Sequence, residues 1–145
     1  MCSKTLRGSL KLKTSMKNRD GKGNKLDIKK YFTEKRNIIN NEIKKLLSEE
    51  PEHPLKEAYN YCMSEGKRFR PILVMASAEA CGMPGVKVIP AAISMEMIHN
   101  FSLIHDDLPC MDDDEERRGR PTCHVKYGEA GALLTGDGLL IFAFN

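Results

Sequence analysis

An apolar run with helical spacing, over 88–108, ends on two adjacent carboxylates, Asp106 and Asp107. Three more aspartates follow at 112, 113 and 114, then Glu115 and Glu116, then Arg117, Arg118 and Arg120. Carboxylates this close repel one another unless water or a cation offsets the repulsion. Hard oxygen ligands suit Mg²⁺, which keeps several waters, takes one or two carboxylates and shares the phosphates of a substrate. The arginines beyond offer planar, bidentate donors to phosphate oxygens. The stretch reads as a magnesium–diphosphate site. The competing reading is a solvated acidic and basic turn, which composition alone does not separate from it.

Two details favour the site. The aspartates abut an apolar run instead of sitting in a polar stretch, and Pro109 interrupts their spacing. On a straight helix, positions 106 and 112 lie well off one face. Pro109 disfavours helical backbone at Leu108, and a kink there brings Asp112 back toward Asp106 and Asp107. Asp113 is the better partner if the helix stays straight, and it is kept as the lesser candidate.

Upstream, apolar residues recur with helical spacing at Ile28, Tyr31, Phe32, Ile38, Ile39, Ile43, Leu46 and Leu47, which predicts a helix over 27–48 with Asp27 as N-cap. Pro51 and Pro54 make a turn. A second helix is predicted over 55–64, and a third from Pro71, suited to a first helical position, to the stop at Cys81-Gly82. The fourth spans 88–108 with Pro90 at its start. A short turn near Tyr127 and a final helix from Ala130 follow the acidic loop. No strand alternation or internal repeat appears, so the fold class is all-α, with helices packed as neighbours through short loops. Met75, Met95, Met97 and Met111 are expected to fill the core. The sequence stops at Asn145 within the last apolar helix, which predicts a truncated bundle.

Composition narrows the function classes. The net charge is +3, with basic residues concentrated before residue 26, too modest an excess for a nucleic-acid partner. Residues 1–26 are expected to form a disordered basic tail or a weak transit peptide, and 27–145 the folded domain. The cysteine count of five is odd, without a zinc pair or a secretory signal, so reduced thiols in the cytoplasm or an organelle are expected. No run approaches the roughly 18 apolar residues of a membrane span.

A second cationic group, Lys67, Arg68 and Arg70, lies where one helix gives way to the next. Cations at a helix start face the positive end of the dipole, an unfavourable placement that a bound anion relieves. His99 lies seven residues before Asp106, two turns up the same face, where it can donate to a phosphate oxygen or simply pack. His105 is placed to orient one of the aspartates.

The segment Asp106-Asp107-Leu-Pro-Cys-Met-Asp112, followed by Arg117-Arg118-Gly119, resembles the first aspartate-rich motif of the trans-prenyltransferases, the short-chain polyprenyl diphosphate synthases. Gly66-Lys67-Arg68-Phe69-Arg70-Pro71 resembles that family's Gly-Lys-Arg-x-Arg-Pro element. The resemblance covers roughly 27–145, and it implies the N-terminal half of an isoprenoid-synthase-type helical bundle.

It also implies a prenyltransferase that condenses isopentenyl diphosphate with an allylic diphosphate to make a short-chain (C15–C20) product. Asp106, Asp107 and Asp112 would be the catalytic metal ligands for Mg²⁺, and Arg117 would contact the allylic diphosphate. Lys67, Arg70, His99 and Arg118 would hold isopentenyl diphosphate. Phe101 and Ser102, five and four residues before the first aspartate, would set product length. The family's second aspartate-rich motif and the lysine between the two motifs are absent from these 145 residues, so the chain alone is expected to be inactive. A homodimer, or a heterodimer with a related synthase, is the implied assembly. The alternative is a non-catalytic regulatory subunit of a heteromeric synthase.

Overall fold

A computed structural model describes residues 27–64 and 66–145. The segment expected to be a basic tail or transit peptide lies outside the described residues. Helix α1 (Ile28–Glu49) opens as its spacing predicts: the Asp27 carboxylate accepts the Lys30 backbone N–H at 3.1 Å. Its buried residues Ile39, Ile43 and Leu47 form one stripe toward the core. Helix α2 (Lys56–Met63) follows the proline turn.

Helix α3 (Phe69–Ala80) starts two residues before the predicted start at Pro71. Arg68 takes a left-handed conformation, φ 53°, and turns the chain into the helix there. Pro71 is thus the third helical residue, where no intrahelical N–H bond is due. The first such bond runs from the Ile72 N–H to the Arg68 carbonyl, at 3.1 Å.

A 3-10 turn (Gly85–Val88) leads into α4 (Ile89–Asp106). This helix is the axle of the fold: it packs most extensively against α6 (Glu129–Phe142) and next against α3. Its buried residues, Ala92, Ile93, Glu96, Met97, Asn100 and Ile104, recur every three or four positions. Two glycines let α6 come close. A Cβ at Gly136 would lie 2.2 Å from His105 Nε2, and one at Gly138 would lie 1.9 Å from Tyr59 Oη. His105 therefore packs on α6 and does not orient the aspartates; its Nε2 donates to the Leu133 carbonyl at 3.0 Å.

Met75 and Met97 are core residues, whereas Met95 and Met111 are 43% and 62% exposed. Met95 falls on the outer face of α4, opposite the buried stripe, and Met111 lies in the loop beyond it.

That loop holds the one departure from pure helix among the described residues. Strands β1 (Glu116–Arg117) and β2 (Arg120–Pro121) pair antiparallel, with Arg117 opposite Arg120. Arg118 and Gly119 make the connection at φ 57° and 76°. Two consecutive left-handed residues match the twist of a two-residue hairpin, and glycine is well suited to the second. The hairpin is fastened to α2: Arg120 sits 4.0 Å over the Tyr61 ring and donates to Ser64 Oγ at 2.8 Å. Tyr61 Oη in turn donates to the Pro121 carbonyl at 2.8 Å. A short helix α5 (Cys123–Tyr127) then leads to α6. None of the helices among the described residues is long and apolar enough to cross a membrane.

Candidate functional site

The N-terminus of α3, one face of α4 and the hairpin enclose a cleft of about 520 Å³. Its walls include Lys67, Arg70, His99 and Arg118, the four residues expected to hold isopentenyl diphosphate. Three distant stretches of sequence thus meet around one opening. The first backbone N–H groups of α3 have no acceptor within the helix, so this end also presents orphan donors and the positive pole of the dipole. Such a lining can hold an anion.

His99 is tuned by these neighbours. Arg70 Nη1 lies 3.1 Å from His99 Nε2. A guanidinium has no acceptor, so Nε2 accepts and the imidazole is neutral in this arrangement. Burial, first, and then the Arg70 charge hold the His99 pKa below its ordinary value; Arg118 and Arg117 push the same way, while Glu96 pulls it up. A phosphate entering the cleft would favour the protonated form.

Arg68, the middle cation of the upstream motif, does not face the ligand space as a free cation. It is 2% exposed, and it donates from Nε to Asn40 Oδ1 and from Nη1 to Glu96 Oε1, both at 2.8 Å. Its Nη2 donates to the Met63 carbonyl.

At the far end of α4 the chain turns back as Pro109 predicts. The helix ends at Asp106, and the Asp112 N–H donates to the Asp106 carbonyl at 2.8 Å. Asp113 sits at φ 56°, its N–H on the Leu108 carbonyl at 3.1 Å. The backbone thus brings Asp112 beside Asp106. Asp106 is half-buried and Asp112 exposed, while Asp107 is only 3% exposed and paired with Arg117. Arg117 Nε lies 2.9 Å from both Asp107 oxygens, and its Nη2 also reaches Asp114 Oδ2 at 3.2 Å.

The donor chemistry fits Mg²⁺: hard oxygens gather at one helix end, two of them with side chains reachable from solvent. Among the described residues no three His, Cys, Asp or Glu side chains converge as a ready cage. This is compatible with an ion that takes one or two carboxylates and completes its shell with water and phosphate.

A smaller cavity of about 60 Å³ lies under the hairpin, with Asp107, Arg117 and Arg118 in its wall. Arg118 lines both spaces and so joins the anion cleft to the aspartate end. Cys62 and Cys123 also line the smaller cavity. Contact with Cys123 and burial push the Cys62 thiol well up, which suits neither a nucleophile nor a metal ligand. Phe101 and Ser102 line neither space. Phe101 packs on the core and edge-on to His105, 4.6 Å between ring centres, and Ser102 Oγ donates to the His99 carbonyl at 2.9 Å.

The polyprenyl synthetase family model matches residues 52–145, most of the chain. The chain belongs to the polyprenyl synthetase family. It is 46% identical over 131 residues, 88% of its length, to the heterodimeric geranylgeranyl pyrophosphate synthase large subunit 1, chloroplastic, of Arabidopsis thaliana. It is 42% identical over 123 residues, 83% of its length, to the farnesyl diphosphate synthase of Geobacillus stearothermophilus. Among solved structures it superposes on a geranyltransferase from Legionella pneumophila with a TM-score of 0.76 at 37% identity, over 79% of this chain. It spans 34% of the Arabidopsis relative and 41% of each of the other two. The all-α fold and the family resemblance read from the two motifs are borne out.

Within this polyprenyl synthetase chain, three participants escaped sequence reasoning. Glu96 and Asn40 each lie 28 residues from Arg68, a separation at which no local pattern operates. The hairpin that presents Arg118 has strands of two residues, too short for alternation to register. Its only sequence signal was Arg118-Gly119, a pair able to adopt consecutive positive φ.

Replacing Arg70 by Ala removes both the donor to His99 Nε2 and the nearest like charge. The His99 pKa should then rise toward that of an ordinary histidine, read by NMR titration of the ring protons. The sign for stability follows. A histidine with a lowered folded pKa destabilises the fold as pH drops below its unfolded value of about 6.5. Arg70→Ala should therefore weaken the loss of stability on acidification through that window. An unmoved His99 titration would refute the pairing.

Proposed function

We propose that this chain supplies the isopentenyl-diphosphate pocket and the first aspartate-rich wall of a prenyltransferase that lengthens an allylic diphosphate by one isoprene unit. The observation that carries this reading is the meeting of Lys67, Arg70, His99 and Arg118 in one cleft at the start of α3. Lys67, Arg70 and Arg118 bind the diphosphate as cations, and His99 adds a hydrogen bond. The aspartate end of α4, with Asp106, Asp107 and Asp112 as the candidate Mg²⁺ ligands, holds the allylic partner. Mg²⁺ bound there would supply electrostatic stabilisation of the departing diphosphate.

The residues present suggest how the two substrates are told apart. A diphosphate competes with Asp107 for the Arg117 guanidinium. That exchange releases the Asp107 carboxylate from its pair and makes it available as a cation ligand. Arg118, whose neighbour in the hairpin makes that exchange, stays with the isopentenyl side. The two arginines thus divide the two diphosphates between them.

The names of the relatives support geranylgeranyl or farnesyl diphosphate as product. The heterodimeric Arabidopsis relative supports a related synthase chain as partner, with a homodimer as the alternative. The chloroplastic name of that relative supports a plastid location; the cytoplasm is the other candidate.

The test is kinetic, in a full-length synthase carrying this segment. Asp106→Ala or Asp112→Ala should lower kcat by about 100-fold or more, because cation ligands act on charge that develops in the transition state. Arg118→Ala should chiefly raise the KM for isopentenyl diphosphate, because it removes ground-state binding. The 145-residue chain alone should bind isopentenyl diphosphate without turnover. Turnover that survives loss of Asp112 but not of Asp113 would overturn the assignment of the third ligand.

Product length is proposed to depend on Phe101, with Ser102 beside it. The ring of Phe101 lies on the α6 side of α4, edge-on to His105. If it forms the floor of the tail pocket, Phe101→Ala in the full-length enzyme should lengthen the product by at least one isoprene unit. Chromatography of the dephosphorylated products reads this directly. Unchanged products with lowered stability would make Phe101 core packing.

A further inference from the structure

The buried pair of Arg68 and Glu96 is the charged feature closest to the anion cleft that the proposed function does not use. Both residues are 2% exposed, and each forms part of the cleft wall. Arg68 holds α1 through Asn40, the end of α2 through the Met63 carbonyl, and α4 through Glu96. It does so from a left-handed backbone at φ 53°, a conformation that non-glycine residues adopt only when their surroundings impose it. The cleft residues lie directly about this point: Lys67 precedes Arg68, Arg70 follows by two, and His99 is one turn beyond Glu96 on α4.

Arg118 comes to the same place. A Cβ built on Gly66 would lie 3.0 Å from Arg68 Nη1, 3.3 Å from Glu96 Oε1 and 3.3 Å from Arg118 Nη1. Two guanidinium groups and one carboxylate therefore crowd over a single glycine. Like charges at such a separation repel, and the Glu96 carboxylate bonded to Arg68 lowers that repulsion.

We infer that Arg68 and Glu96 are positioning residues of the anion cleft: the pair fixes the direction of Lys67 and Arg70 and allows Arg118 to approach, without itself touching the ligand. This rests on the diphosphate reading of the cleft and adds residues outside both sequence motifs' expected ligand sets. Arg68 acts through the left-handed turn it locks, and Glu96 acts by holding Arg68 and offsetting its charge beside Arg118. A lysine at position 68 could not replace it, since an ammonium lacks the planar fork that meets three partners on three segments.

The experiment measures inorganic pyrophosphate binding to the 145-residue chain by calorimetry, for the wild type, Glu96→Gln, Arg68→Lys and the double variant Arg68→Met/Glu96→Met. Removing one partner of a buried pair destabilises, whereas replacing both by apolar side chains of similar volume is often neutral. The double variant therefore keeps the test open if a single variant fails to fold. The expected result is a folded double variant with wild-type circular dichroism but pyrophosphate affinity lower by roughly 10-fold or more, about 1.4 kcal/mol per decade. Arg68→Lys should fail to restore affinity.

A second readout is the His99 titration followed by NMR. His99 is faced by Arg70 from α3, by Glu96 from its own helix, and by Arg117 and Arg118 from the hairpin. Glu96→Gln should move its pKa further down, a shift that a role confined to stability would not cause. A folded double variant that binds pyrophosphate like the wild type overturns the inference and leaves the diphosphate reading intact. A wild-type chain that does not bind pyrophosphate overturns both.

Discussion

A guanidinium buried among helices has to be met on every side, and Arg68 is the group on which this arrangement turns. Its partners lie on α1, at the end of α2 and on α4, while its own backbone starts α3. Losing one member of such a pair costs about 3–5 kcal/mol, a large share of the stability of a domain this size. Four helices are thus tied at one place by charge. The apolar faces of α1, α2, α4 and α6 supply the bulk of the burial, but burial is non-directional. The ion pair supplies direction, and it supplies it beside the cleft.

The other end of α4 solves a different electrostatic problem. Carboxylates crowd at positions 106, 107 and 112–114, and the hairpin answers them with Arg117. The hairpin can do so because Arg118 and Gly119 accept a backbone that turns the chain within two residues, and because Tyr61, Arg120 and Ser64 hold it to α2. Arg117 is thereby directed to the aspartates and Arg118 to the cleft. One short hairpin thus divides two neighbouring arginines between the aspartate end of α4 and the cleft.

Much of this was legible in the sequence. The 3.6-residue spacing and the proline and glycine stops located the five longer helices to within two residues, because both signals are local, while the five-residue α5 was expected only as a turn near Tyr127. The return of Asp112 to Asp106 followed from Pro109 for the same reason. What was not legible depends on distance in sequence. The Arg68–Glu96 contact joins segments 28 residues apart, and nothing in either segment marks the other. His105 adjoins the aspartates in sequence but faces α6, since only the packing of α4 on Gly136 decides its direction. Met95 is apolar and lies within a buried helix, yet the outer face of that helix claims it. The pairing of Asp107 with Arg117 was hidden because two-residue strands carry no periodicity.

The most direct test of the cleft is a crystal structure of this chain with isopentenyl diphosphate. The diphosphate should lie at the N-terminus of α3, within hydrogen-bond distance of Lys67, Arg70, His99 and Arg118, with Arg68 still bound to Glu96. A diphosphate seated instead on the hairpin side against Arg117, with the cleft between α3 and α4 empty of it, would contradict this assignment.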